Sequence, residues 1–512
     1  MAEAAKAQYQ HFVPQFLLRN FSHPYKPQDT ATKKSKGSKR KYVKGMFPGD
    51  LVVRNLNLLM DPPVICETPV KRILGQMDMY RDTNNPSPGQ QQYIEQMFSK
   101  IEGQVSAIFR KITKAFEQKD EGLWLTRDER DLIRKFLFLL KYRGSRYHRR
   151  FYHDTAEDYD SNDRELLHDY MAEKGYTRPV DVWFNNLKTI MELPMDPEGA
   201  WMRELPKRIF YGDAMMFITH CQSMYMAICT PSDPNDEFIL TDNSYNVFEG
   251  PNYCAADEDT GKIEATAYTP FHEFAPVSPK LMVVLRSFLI PVAEEDANPD
   301  VELERKFFRS MALDSVYKKE VKSLLADLPI QKARNNYSEI IDGNVRLIYG
   351  EDGQKRKDHK FCFKFFPIDT QHVNTIDGVL LDNASVCSSV VFKTIKSFAR
   401  TLEWFLAESC TFSKIVTGED ADLRLTCLKK LAAVSQSLGS DKIPVWREDP
   451  VPVVKNLEKF RLMKIEQSRS LEKMIKGNLD SIPDKEFMQI YKTLGKAPAS
   501  QFSTAVSNLL LY

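Results

Sequence analysis

The 512-residue chain has eight cysteines but no C-x-x-C pair. Cys66, Cys221, Cys229, Cys254, Cys362, Cys387, Cys410 and Cys427 are scattered, and most sit beside apolar residues, as in the FCFKFF run around Cys362. A zinc site or a thioredoxin-like centre needs closer spacing, so the thiols read as reduced, intracellular and mostly buried. The chain also lacks a Walker loop, a G-x-G-x-x-G, an H-E-x-x-H and a G-x-S-x-G. The familiar nucleotide, zinc-protease and serine-hydrolase readings lose their footing with them. Net charge is nearly absent: 71 basic and 70 acidic residues leave +1. No whole-molecule field then draws in DNA or an anionic membrane, and any such attraction must be local. The longest apolar stretch, Leu281 to Val292, is interrupted by Arg286 and too short for a bilayer. The opening MAEAAKAQYQ has no apolar segment of a secretory signal, Ala2 excludes N-myristoylation, and the final NLLLY is no prenylation box. No membrane partner is expected, and the expected location is the cytoplasm.

What is present is an ordinary globular composition, 42% hydrophobic and 28% charged, with 31 Phe and 21 Tyr to bury. The length allows more than one core. Pro14 to Phe21 predicts a short helix, with Leu17, Leu18 and Phe21 on one side, and a lysine-rich loop spans residues 26–45. Leu51 to Leu56 reads as a strand. Ile94, Met97, Phe98, Ile101, Val105, Ile108, Ile112 and Phe116 form one stripe of a long helix. Thr126 followed by Glu129 is a capping box opening the next. Val180 to Met191 is amphipathic. Tyr211 to Cys229 is apolar nearly all round and predicts a buried helix, whereas Glu237 to Leu240 predicts a short strand. Leu281 to Leu289 is a strand or a buried helix, which periodicity does not separate. The acidic stretch from Pro291 to Glu304 suggests a boundary: a core domain over 1–295, and a mainly helical region over 296–512 packed on it. A hairpin is expected near 345–366, turning at Asp352-Gly353. The fold class is α+β, helix-dominated, with a few short strands and a helical C-terminal extension.

Several blocks carry a family signal. Gln10-His11-Phe12-Val13-Pro14 through Leu18 to Phe21 is similar to a His-aromatic-Val-Pro-x-x-x-Leu-x-x-Phe opening. Met79-Tyr80, then Ile94-Glu95 with Glu102, then Phe238-Ile239-Leu240-Thr241-Asp242-Asn243, then Ala275-Pro276-Val277-Ser278-Pro279 follow in order. Over roughly residues 9–290 the chain resembles the domain-of-unknown-function family numbered 4238, in its fungal-type branch. Thr241, Ser244 and Val277 stand where that pattern favours Ser, Pro and Leu. The resemblance implies a shared fold and brings no activity with it.

The candidate chemistry is sparse. His11, just before a helix start, is a base or ligand, or else an imidazole bonded to a nearby carbonyl. Asp242 and Asn243 end a strand, where catalytic groups often sit, or form an Asx turn that stops it. Glu95 and Glu102 share one helix face beside the apolar stripe, so each needs a partner, with Arg19 or His11 as candidates. His11, Glu102 and Asp242 together would make an adequate ligand set for magnesium or manganese and suit phosphodiester hydrolysis. Arg19, Arg146 and Arg150 are candidate anion- or substrate-binding residues. The basic patch over residues 141–150, with Tyr147 and Phe151, could meet nucleic acid, or pair with the acidic segment Asp154–Asp169. The Lys-rich run over 33–41 is a nuclear address, a nucleic-acid tether or a solubilising loop. Asp257 to Gly261 is a turn and not a calcium loop. Two functions remain open: a binding or regulatory module, or a nuclease-like hydrolase using a His/carboxylate cluster with a divalent metal.

Overall fold

A computed structural model of the chain describes residues 7–27, 46–245, 271–310, 321–410, 413–418 and 420–449, with isolated positions such as Glu249 and Arg469 besides. Its helices are α1 (Gln15–Phe21), α2 (Tyr93–Glu117), α3 (Arg127–Tyr142), α4 (Ser145–Phe151), α5 (Arg164–Lys174), α6 (Pro179–Glu192), α7 (Trp201–Arg208), α8 (Tyr211–Gln222), α9 (Ala293–Asp296), α10 (Pro299–Arg309), α11 (Thr370–Asp382), α12 (Ile395–Ala407) and α13 (Ala421–Ser437). The strands are β1 (Tyr9–His11), β2 (His23–Pro24), β3 (Leu51–Asn57), β4 (Val64–Pro69), β5 (Gly75–Met77), β6 (Gly122–Thr126), β7 (Met224–Pro231), β8 (Leu240–Thr241), β9 (Ala255–Ala256), β10 (Ile263–Glu264), β11 (His272–Ser278), β12 (Leu281–Ser287), β13 (Arg334–Asn335), β14 (Ser338–Ile341), β15 (Asn344–Leu347), β16 (Lys360–Ile368), β17 (Ser389–Phe392), β18 (Ile415–Val416) and β19 (Arg447–Glu448). This is an α+β fold in which helix predominates. Among the described residues no helix is long and apolar enough to cross a membrane.

Local chemistry places the N-terminal helices as expected. The Thr126 hydroxyl accepts from the Glu129 amide and the Glu129 carboxylate accepts from the Thr126 amide, which satisfies donors the first turn of α3 would otherwise leave open. The apolar side of α2 packs on α3 and α6.

The main sheet runs β11-β12-β7-β16-β13, with β6 also on β16; β16 lies parallel to β7 and the other pairs are antiparallel. It is covered on both sides. Met226, Ile228, Val283 and Leu285 point into the cluster built by α2, α3, α6 and α8. Ala227, Cys229, Met282 and Val284 point into a second cluster with α11, α12 and α13. That explains two expectations at once. The run from Leu281 is a strand, β12. The run after Gln222 is also a strand, β7, and not the continuation of a buried helix: α8 stops at Gln222 and the chain turns at Ser223. A strand buried on both faces is apolar at every position, as is a buried helix, so the pattern has no period to read. A smaller sheet has the order β2-β3-β17-β8, with β4 on β3.

The hairpin is elsewhere than expected. β15 pairs with β14 across Asp342-Gly343, both in the left-handed region at φ 50° and 72°. The chain from Lys360 joins the main sheet instead. The Asp-Gly rule holds, at the other Asp-Gly. The predicted strand at Glu237–Leu240 is shorter, since only Leu240 and Thr241 pair. Strands from both sides of residue 295 share both sheets: β16 lies on β6 and β7, and β17 between β3 and β8. The Lys-rich run and Asp257–Gly261 lie outside the described residues. Beyond residue 396 the described chain is mainly helical, in α12 and α13.

Candidate functional site

The opening block is held by its backbone. β1 runs antiparallel to β5, and a side chain at Gly75 would come within 2.3 Å of the Gln10 carbonyl oxygen, so only glycine fits. The Gln10 side chain accepts from the Tyr80 amide (2.6 Å) and donates to Gln92 (2.5 Å). Tyr80 is thereby fixed against Phe98 of α2 and Trp183 of α6.

At the centre is Arg143, in the break between α3 and α4 and only 1% exposed. Its Nε donates to the Phe12 carbonyl (3.0 Å) and its Nη1 to Glu102 Oε1 (2.8 Å). Its guanidinium lies 4.5 Å above the Phe98 ring, and its own carbonyl accepts from the Tyr80 hydroxyl at 3.4 Å. Nη2 is buried and has no partner. One side chain therefore joins the opening block, the Tyr80 block and the glutamate helix. The two later blocks join each other and the first: the Phe238 amide donates to Pro279, the Asn20 amide to Val277, and the Tyr245 hydroxyl to Pro276.

Two ionisable groups of this region, Glu95 and His11, are shifted. Burial pushes the Glu95 carboxyl up to about 6, against the pull of Arg143, and Glu102 pushes the same way as burial. Burial holds the His11 imidazole down at about 4, with Arg143 adding to the effect, so the ring is neutral near pH 7. Its Nε2 meets the Val70 carbonyl at 3.2 Å. His11, Glu95 and Glu102 are all partly exposed, so the network has an open side.

The other expected residues are dispersed. Arg19 is exposed on α1 and does not pair with Glu102. Asp242 is buried; its Oδ2 accepts from the Ser388 amide (2.9 Å), Oδ1 has no partner, and burial holds the carboxyl above its ordinary range. The turn at Asn243 is made by hydroxyls: Thr241 Oγ1 accepts from the Asn243 amide and Ser244 Oγ from the Thr241 amide. Among the described residues no three His, Cys, Asp or Glu side chains come together to hold a metal ion, so His11, Glu102 and Asp242 do not form a magnesium or manganese site.

The basic patch over 141–150 turns largely inward. Lys141 pairs with Glu273 (3.0 Å), which also meets His220 (3.0 Å). Burial alone would raise the Glu273 carboxyl, but Lys141 and His220 outweigh it and hold it at about 2. Arg150 binds the Tyr159 hydroxyl (2.6 Å) and Asp163, within the acidic segment. Arg146 is half-buried and Arg149 exposed, on a helix that restarts at Ser145. A continuous phosphate-facing row does not form.

Arg143 is the residue that the helical reading of this stretch passes over. Its only local signal is its place, the first position after the buried run Phe136–Tyr142. Its partner Glu102 is 41 residues away.

A family model described as "Protein of unknown function (DUF4238)" matches residues 9–396. No curated protein and no solved structure matches the chain.

Proposed function

We propose that this chain, which belongs to the DUF4238 family, is a binding or regulatory module whose ligand site is the open side of the Arg143 network, lined by His11, Glu95 and Glu102. One observation carries the reading. A guanidinium that ties three segments together keeps Nη2 unpartnered in a buried position. A buried donor left unmade costs about 1–3 kcal/mol, so its persistence calls for an occupant that completes it. The part-exposed glutamates supply the approach. The test is a fragment screen by thermal shift on the wild type and on Glu95→Gln. Compounds that stabilise the wild type and not the variant support the site; equal responses, or none, overturn it. The expected location is cytoplasmic, with a nuclear address through the lysine run, and a fluorescent fusion in cells reads this directly.

A second reading, a phosphodiester hydrolase, is favoured by Glu95. A carboxyl that burial pushes up to about 6 can hold and return a proton near neutrality. Turnover of bis(4-nitrophenyl) phosphate between pH 5 and 8 that disappears in Glu95→Gln supports it. No turnover in the wild type, with magnesium or manganese added or without, removes it.

A further inference from the structure

A cavity of about 460 Å³, open on one side, lies between α5, the start of α8 and the described positions of 462–472. That is the size of a small-molecule site. Tyr170 of α5 and Phe210, the residue before α8, form its apolar wall, with ring centroids 5.6 Å apart. Ile465 and Ser468, each 4% exposed, seat the C-terminal residues against the body of the protein. The rim is mostly acidic. Asp169 and Glu173 stand four residues apart on α5, a spacing at which like charges repel, and Glu472 lines the same cavity from the C-terminal side. The chain brings cations of its own to them. Arg469 Nε and Nη2 both donate to Asp169 Oδ2 (3.0 and 2.7 Å), across 300 residues of sequence. Lys174 pairs with Glu173 at 2.8 Å, and its ammonium lies 6.0 Å from the centre of the Tyr170 ring. Glu466, 3.8 Å from Arg469, adds a fourth carboxylate. Among these described groups four carboxylates meet two cations, and the balance is negative. The Asp169 and Glu173 side chains are 61% and 55% exposed, so a ligand arriving from solvent reaches them.

We propose that this cavity binds an organic cation with an apolar body, its ammonium or guanidinium at the Asp169–Glu173 rim and its ring or alkyl chain against Tyr170 and Phe210. The walls select the class. An anion meets carboxylates, a neutral apolar molecule leaves their charge unbalanced, and an inorganic cation leaves the aromatic wall bare. Arg469 and Lys174 show both kinds of cationic group already held at this rim. A free amine and the Lys or Arg side chain of a partner share this chemistry. The cavity has no residue in common with the Arg143 network, so either site can fail without the other.

Saturation-transfer NMR and calorimetry on the full chain test this with phenethylammonium, its neutral counterpart phenethyl alcohol, the anion hydrocinnamate, and N-acetylarginine N-methylamide. The two cations are expected to bind and the other two probes are not; which cation binds more tightly separates a free amine from a partner's side chain. Glu173→Gln and Arg469→Gln alter solvent-facing groups and should fold, which their melting temperatures check. They move the charge balance in opposite directions. Affinity for the cations should fall roughly threefold in Glu173→Gln and rise roughly threefold in Arg469→Gln, and both effects should shrink in high salt. Equal binding of phenethyl alcohol overturns the charge assignment. Binding unchanged by both variants puts the ligand elsewhere and overturns the site. Weaker binding in Arg469→Gln would mean that Arg469 holds the cavity together and does not compete for it, which overturns the role given to Asp169. No binding of either cation at millimolar concentration overturns the proposal outright.

Discussion

Two buried ionisable residues, Arg143 and Asp213, lend themselves to direct test. Arg143 is a buried cation whose ion-pair partner among the described residues is Glu102. Breaking a buried pair typically costs 3–5 kcal/mol, because the remaining charge is stranded. Glu102 keeps 26% of its side chain exposed and can be rehydrated, so Arg143→Ala should cost about 3 kcal/mol and Glu102→Gln about 1 kcal/mol. Urea midpoints of both variants and of the double variant give the coupling; a negligible shift for Arg143→Ala would mean that the network is not structural. Asp213 is the other. It is wholly buried, accepts from Tyr142 (2.6 Å) and Asn186 (2.8 Å), and keeps Oδ1 unpaired. Burial lifts its carboxyl to about 6, offset only in part by Arg150. A carboxyl raised on folding stabilises fully below its unfolded value near 4 and loses that contribution as pH rises through about 6. Stability from this group should therefore fall by a few kcal/mol between pH 4 and pH 7. Asp213→Asn should flatten that slope, and a slope unchanged in the variant would rule the group out as its source. Neither residue announces itself in the sequence. Arg143 sits among other cations, and only the third dimension brings Glu102 to it; Asp213 looks like an ordinary first-turn acid of α8.

Elements were legible where their determinants are local. The Thr126–Glu129 box opens α3, and the stripe from Ile94 to Phe116 is α2, because each is written in residues close together in the chain, the box within one turn and the stripe at three- to four-residue spacing. β7 was illegible for a physical reason: Tyr225, Ala227 and Cys229 enter one core while Met226 and Ile228 enter the other, so burial leaves no polar face to mark the period. The hairpin shows a different limit. Asp342-Gly343 and Asp352-Gly353 have the same turn chemistry, and the choice depends on which flanking segments find partners. Gly343 gives a direct test. At φ 72° with Asn298 N only 2.2 Å from where a Cβ would stand, Gly343→Ala should loosen the β14–β15 hairpin and cost about 2 kcal/mol. Hydrogen exchange of the amides over 338–347 would rise selectively, and unchanged protection would show that the loop adapts instead.

At the level of the whole molecule, the two apolar clusters lie on opposite faces of one sheet and cannot be separated by cutting the chain between them. A fragment ending at residue 295 loses β16 from beside β7 and β17 from between β3 and β8. It is expected to bind a hydrophobic dye and melt without a cooperative transition, whereas residues 1–449 should unfold cooperatively. Cooperative unfolding of the shorter fragment would show that the first cluster is self-sufficient. The α+β class was readable from composition and periodicity, but this interleaving was not, because pairing between distant strands leaves no mark on either strand alone. The family match ends at residue 396, four residues past β17 at Phe392.

That position of β17 also sets a clock. Asn55 and Ser389 are neighbours in the smaller sheet but 334 residues apart in the chain. A ribosome adding roughly 5–20 residues per second needs about 20–70 s to deliver the second after the first. Throughout that interval β3 has an open edge and the nascent chain shows apolar surface that only later residues will cover. The protein is thus committed to a long wait during its own synthesis, and holding factors or translation speed, more than the stability of the finished fold, would govern how much of it is recovered intact.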